Sequence, residues 1–301
     1  MRHLKCKYKG EDNMKKSAIR ETLINHQIWL SSDGYDGRRA DFSHEDLHGA
    51  DFSGLDLSNA DFTEANLSGA EFIETRLNIT NFNKADLSGA NFYKADLGSA
   101  DLHRAILCHA FLSQAKLTHA TLSWAVLNNA HLFEADLSGA DLTHAVLNKA
   151  YLQHSKLHGA DLFSAELVDA NLAHADLSDA NLRGADLGVS DLRIANLYGT
   201  KIRNVNLRGA FLPDGFYMVA GLGSRDGGCI YYDSNNDFVK CGYWDDGNGN
   251  HLDSFKKRVE DVYGPNGERP NSMSYKAYQS AINYFEVCRD EHIDHTMDSL
   301  S

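Results

Sequence analysis

His154 and His174 are twenty residues apart, and Glu134 precedes His154 by the same interval. Two imidazoles and a carboxylate brought together would make a donor set for Zn²⁺. Stacked imidazoles would also gain charge together as the pH falls through the histidine range. Carboxylates abound, with 42 Asp and Glu against 29 Lys and Arg, and acid–base chemistry would need some of them in a recess that shifts their pKa values. The glycine-rich stretch GLGSRDGG at 221–228 lacks the GxxxxGK[ST] phosphate loop and reads as a turn. Whether any of these groups meet depends on what positions them.

Residues 40–212 position most of them, through a period of five that never breaks. Every fifth residue from Phe42 to Leu212 is Leu, Phe or Ile: 28 Leu, 6 Phe and Ile202. Two residues before each stands Ala in 27 of the 35 cases. A helix needs apolar residues at a spacing of about 3.6 and a flat strand needs them at about 2. Here spacings of two and three alternate, so the chain must turn every five residues and climb as a coil. Small Ala and large Leu point inward, while Asp, Asn, Ser and Gly lie outward where turns are made. The reading is a β-solenoid. A regular rod offers no concave pocket, so the sequence predicts no catalytic residue, no metal site and no cofactor.

The pattern A-(D/N)-(L/F)-x-x, as in Ala40-Asp41-Phe42 and Ala60-Asp61-Phe62, resembles the pentapeptide-repeat protein family across residues 40–212. The resemblance implies a right-handed quadrilateral β-helix, with one pentapeptide per face and four per coil. The fold class expected is mainly β, with an N-terminal helical cap and a small α+β C-terminal domain. At about 4.8 Å per coil, a shaft of just under ~9 coils would be about 40 Å long. Phe42, Phe52, Phe62, Phe72, Phe82 and Phe92 would stack on two opposite faces of the first coils.

The expected domains are 1–39, 40–212 and 213–301. Lys15 to Ser31 reads as an amphipathic helix with Ile19, Leu23, Trp29 and Leu30 near one side. Placed just before Ala40, it would cover the open end of the solenoid. Leu23, His26, Trp29 and Leu30 resemble the lead-in of other pentapeptide-repeat proteins, which makes His26 and Trp29 packing residues of the cap. After Pro213 the period stops. CIYY and FVKC read as strands paired around DSNND, setting Tyr231 against Val239 and Cys229 against Cys241. Helices are expected over 252–263 and 274–289. Gly223-Ser224-Arg225, Cys241-Gly242, Phe255, Val259 and Tyr263 resemble the tail of some family members. The simplest role for this module is to cap the far end; recognition through Arg225 is the other.

Function would be written on the outward positions. Folding the sequence in twenties gathers Tyr93, Phe111, Phe133 and Tyr151 on the third face, with His131, His154 and His174 beside them. Clustered exposed aromatics mark a protein-binding patch or a surface that a second copy covers. Acidic residues are uneven. Residues 40–79 carry nine carboxylates, including Asp41, Asp51, Asp61, Glu64, Glu71 and Glu74, against Arg76 alone. The Asp of each repeat either bonds its own turn or builds an acidic binding surface.

A net charge of −13 argues against direct nucleic-acid or anionic-membrane binding. No apolar run is long enough to span a bilayer. The charged N-terminus has no apolar signal core, and five scattered Cys suit a reducing cytoplasm, so a cytoplasmic location is expected. Three function classes remain open: a non-catalytic protein-binding module that modulates or inhibits a partner, with self-association into a homo-oligomer; an acidic DNA mimic; and a structural spacer. The mimic class rests on resemblance to family members that protect DNA gyrase, and extends to anti-defence proteins of phage type that inhibit a restriction or defence nuclease.

Overall fold

Each bridge between successive coils joins a residue to the one twenty positions later, always parallel, from Asp41 with Asp61 to Asp191 with Phe211. Four pentapeptides therefore make one coil. The computed structural model describes residues 13–202, 204–214, 216–219, 230–233, 238–241, 251–263, 265–266, 278–283 and 285–286. They belong to two compact units, Met1–Lys201 with Val205–Phe211, and Ile202–Asn204 with Leu212–Ser301.

In the first unit the backbone bonds run coil to coil. The Phe42 amide donates to the Asp61 carbonyl at 2.7 Å, and the Asp61 amide donates to the Ala40 carbonyl at 2.9 Å. A bond within the repeat then turns each corner, as from the Glu45 amide to the Phe42 carbonyl at 3.2 Å. The residue before that amide, His44, has φ of 60°, the left-handed position of a type II turn. Most fifth positions share it, including Ile79 at 59°, Trp124 at 61° and Val189 at 51°.

Inside, the Leu, Phe and Ala of the repeat are buried with essentially no exposure from Ala40 to Leu187. Phe42, Phe62 and Phe82 stack at 5.1 Å, and Phe52, Phe72 and Phe92 stack at 5.2 and 4.8 Å. The two columns meet edge to face, as at Phe72 and Phe82, the geometry aromatic quadrupoles favour. Where Thr replaces Ala, its buried hydroxyl finds a carbonyl one coil back: Thr75 donates to Phe52 at 3.0 Å and Thr80 to Leu57 at 2.9 Å. A polar residue is tolerated in this core because it is satisfied.

Helix α1, Asn13–Ser31, precedes the first coil. Ile19, Leu23 and His26 are buried at the spacing of one helical face, with Trp29 half-buried and stacked on His26 at 5.8 Å. Gln27 donates to the Asp56 carbonyl at 2.7 Å and the Ala40 amide donates to His26 Nδ1 at 3.1 Å. These bonds occupy groups that an open coil would leave unpaired.

Among the described residues the second unit holds three antiparallel strands in the order β1-β2-β3: β1 is Phe216–Val219, β2 Ile230–Asp233 and β3 Phe238–Cys241. Helix α2, Leu252–Tyr263, follows, and residues 278–283 are also helical. Tyr232, Phe255, Val259, Tyr278, Ile282 and Phe285 are buried, with Tyr232 and Phe285 rings 5.2 Å apart. The hairpin register differs from the expected one. Asp233 pairs with Phe238, so Tyr232 faces Val239 and Ile230 faces Cys241. Asp233 is a turn residue by type but a strand residue in fact, which leaves four residues in the connection and moves every partner by one. Cys229 and Arg225 lie outside the described residues.

Candidate protein-interaction surface

The faces can be named by their first repeats, beginning at Ala40, Glu45, Ala50 and Leu55. On the third face the bridge partners run Asp51, Glu71, Asn91, Phe111, His131, Tyr151, Asn171 and Asp191. The imidazole of His131 is held between two rings, 5.0 Å from Phe111 and 4.8 Å from Tyr151, within 13° of parallel to each. Beside it, His154 and His174 stack at 4.6 Å, and Phe133 meets His154 edge to face at 5.6 Å. Tyr93 stands one coil before Ser113 and two before Phe133, its ring 5.0 Å from the Lys94 ammonium.

This ring array forms because the coil repeat is the strand spacing, about 4.8 Å, which is also a comfortable aromatic stacking distance. Stacking does not hide the rings: Phe111 is 47 % and Tyr151 44 % exposed. All seven aromatic and histidine candidates of the shaft therefore share one face. Among the described residues no group of three or more His, Cys, Asp or Glu is arranged to hold a metal ion.

The acidic candidates are divided. Asp41, Asp61 and Glu64 lie on the first face, while Asp51, Glu71 and Glu74 lie on the third. Several are engaged locally. Asp41, Asp51 and Asp61 each accept the amide two residues on, at 3.0 Å. For Asp41 the hydroxyl and amide of Ser43 hold the carboxyl below its ordinary pKa against a smaller opposing effect of burial. Glu64 is lowered by the Lys84 ammonium at 2.9 Å, and Asp61 pairs with Arg39 at 3.4 Å. Glu71 accepts the Asn91 amide group at 2.9 Å. Glu74 is exposed.

A second aromatic group sits on the opposite, first face. Trp124 stacks on His144 at 4.3 Å, and His144 meets Phe163 edge to face at 5.7 Å. Trp124 is 53 % exposed. Its signal in the sequence is the twenty-residue interval from Trp124 to His144. On the second face, Ile106, Val126 and Val146 occupy the bridge positions that Asp or Asn holds in the early coils.

The family described as pentapeptide repeats, in eight copies, matches residues 38–78, 65–104, 95–132, 125–169 and 170–209. The chain belongs to the pentapeptide-repeat family. Among solved structures it is similar to QnrB1, a plasmid-mediated fluoroquinolone resistance protein. For a trypsin-treated form the identity is 25%, covering 57% of this chain and 88% of that one, with a TM-score of 0.53. It is also similar to HetL, a pentapeptide-repeat protein involved in heterocyst differentiation regulation in the cyanobacterium Nostoc sp. strain PCC 7120. That identity is 31% over 63% of this chain and 96% of HetL, with a TM-score of 0.33. Rfr23 from the cyanobacterium Cyanothece 51142 is 34% identical over 31% of this chain and 63% of its own, with a TM-score of 0.29. No curated protein matches the chain. Membership, with the QnrB1 likeness, makes the shaft a right-handed β-helical solenoid. Among the described residues no helix is long and apolar enough to cross a membrane.

Proposed function

We propose that this protein is a non-catalytic interaction module that docks a protein partner on its third face and modulates or inhibits it. The observation that carries the reading is the exposed array of Phe111, His131 and Tyr151 beside Phe133, His154 and His174. Rings held by stacking lose little freedom when a partner covers them, and aromatic anchors dominate binding energy in such patches. Tyr93 extends the surface toward the first coils. Arg225 is a further recognition residue in this reading.

A second reading is favoured by the acidic first coils and by the likeness to a fluoroquinolone resistance protein. In it, Asp41, Asp51, Asp61, Glu64, Glu71 and Glu74 imitate a phosphate backbone toward a DNA-binding enzyme, such as gyrase or a restriction or defence nuclease. A structural spacer would need neither surface.

Capture from cell lysate with the wild type and a Phe133→Ala, Tyr151→Ala double variant tests the first reading, followed by competition with duplex DNA. A partner lost by the double variant and indifferent to DNA supports third-face docking. One retained by the double variant and displaced by DNA supports mimicry instead. No partner held by the wild type leaves the spacer.

A further inference from the structure

The fourth face carries an alternation of charge that the other faces lack. Its bridge positions run Asp56, Arg76, Asp96, Lys116, Asp136, Lys156, Asp176 and Asn196, each paired with the next one coil on. Carboxylate and cation alternate along the whole column until Asn196. Asp56 and Arg76 pair at 3.2 Å and Asp136 and Lys156 at 3.8 Å, with both cations largely exposed. Lys116, midway, has no carboxylate within 4.0 Å among the described residues.

The carboxylates are oriented by their turns. Oδ1 of Asp56, Asp136 and Asp176 accepts both the amide and the hydroxyl of the serine two residues on. Oδ2 is left to cations. Beside the charges the residues at Gly98, Ser99, Thr118, Ser138, Gly139 and Gly159 are small, with the His119 and His158 imidazoles among them and Ile79 and Tyr198 exposed toward the two ends of the face. The His119 ring lies across Gly139, where a Cβ would come within 2.6 Å of it, and nothing stands within 4 Å of a Cβ at Gly159. The aromatics that crowd the first and third faces are absent from this stretch.

We infer that the fourth face binds the fourth face of a second copy, with the two shafts antiparallel about a two-fold axis between Lys116 and Asp136. The column is self-complementary in charge. Reversing an alternating column about a point between two opposite charges sets every cation against a carboxylate: Lys116 against Asp136, Lys156 against Asp96 and Arg76 against Asp176. Parallel shafts related by a two-fold along their length would set each charge against its own kind and are disfavoured. Exposed ion pairs are individually weak and screened by salt, so the column fixes register and direction while the small side chains of the middle coils allow close approach. The axis lies across the shafts in the plane of contact, so the third faces of both copies come to the same side. The dimer then presents the aromatic array twice, side by side.

Sedimentation equilibrium of the full chain in low and high salt tests this. The wild type is expected as a dimer that dissociates as salt rises. Lys116→Glu with Lys156→Glu leaves Arg76 as the one cation among these bridge positions and is expected to leave a folded monomer. Asp96→Lys with Asp136→Lys makes it largely basic; the fold accepts a cation there, since Arg76, Lys116 and Lys156 occupy equivalent positions. Mixed, the two variants are expected to form a heterodimer. In the wild type, carbodiimide cross-linking is expected to join Lys156 to Asp96. Those residues lie three coils apart in one chain, about 14 Å at strand spacing, so the bond can form only between copies. A monomeric wild type, a dimer unchanged by the acidic variant, or folded variants that do not combine would each overturn the proposal.

Discussion

The backbone amide of Ala40 donates a 3.1 Å hydrogen bond to Nδ1 of His26, whose ring is wholly buried. An imidazole that accepts at Nδ1 carries its proton on Nε2, and Nε2 has no partner among the described residues. The ring is thereby fixed as a neutral acceptor, and burial holds its pKa below the ordinary 6.5. Asp56 opposes that shift and Arg39 adds to it.

The sign of the pH dependence follows. Below 6.5 an unfolded His26 takes up a proton that the folded one refuses, so the stability it contributes is present above 6.5 and lost as pH falls through the lowered native value. Protection factors at Ala40 and along α1, measured against the intrinsic exchange rate at each pH, should therefore fall on acidification. In His26→Gln, which cannot gain charge, that fall should disappear.

Asp176 makes the opposite end of the argument. Its Oδ1 accepts from the Ser178 amide at 3.1 Å, the Ser178 hydroxyl at 2.7 Å and Asn196 at 2.9 Å. Burial raises its pKa, but the Ser178 and Asn196 bonds outweigh it and the net direction is down from 3.8. This contribution is full above 3.8 and lost as pH falls through the lowered native value. Asp176→Ala should destabilise the shaft by about 1–3 kcal/mol in denaturant unfolding near neutral pH. The difference from wild type should narrow in acid.

Leu127 has no exposed surface, with coils stacked on both sides. Leu127→Asp buries an unpaired charge and should abolish folding of several coils, because each coil depends on its neighbours. Circular dichroism should show a large loss of the shaft's signal, whereas loss confined to one repeat would contradict the stacked-layer account.

Ile79 is β-branched, 62 % exposed and held at φ of 59°. A left-handed conformation costs such a residue about 1–2 kcal/mol, whereas Asn adopts it readily. Ile79→Asn should raise the unfolding midpoint, with a gain of about 1 kcal/mol.

The solenoid is legible because its inward residues repeat without an insertion, so one interval fixes both register and packing. Phe42 to Phe92 announce their two columns in the same way. The third-face group was also legible, since Phe111, His131 and Tyr151 fall at one position of the twenty-residue coil. Trp124 is harder to see. A lone Trp at a fifth position reads as an isolated exposed residue until His144, one coil on, is set above it. The acidic residues mislead in the other direction: contiguous in sequence, Asp51 and Asp61 point to opposite faces, because half a coil separates them. The hairpin register was not legible, since residue type assigns Asp233 to the turn while pairing assigns it to β2.

Binding measured for variants on opposite faces would decide the central claim most directly. A partner captured from lysate by the wild type would be titrated against Tyr151→Ala on the third face and Trp124→Ala on the first. If the third face is the docking surface, Tyr151→Ala weakens affinity by about 30-fold, as expected for an aromatic anchor, and Trp124→Ala leaves it unchanged. Equal affinity for wild type and Tyr151→Ala, with loss in Trp124→Ala, would contradict the account and move recognition to the first face.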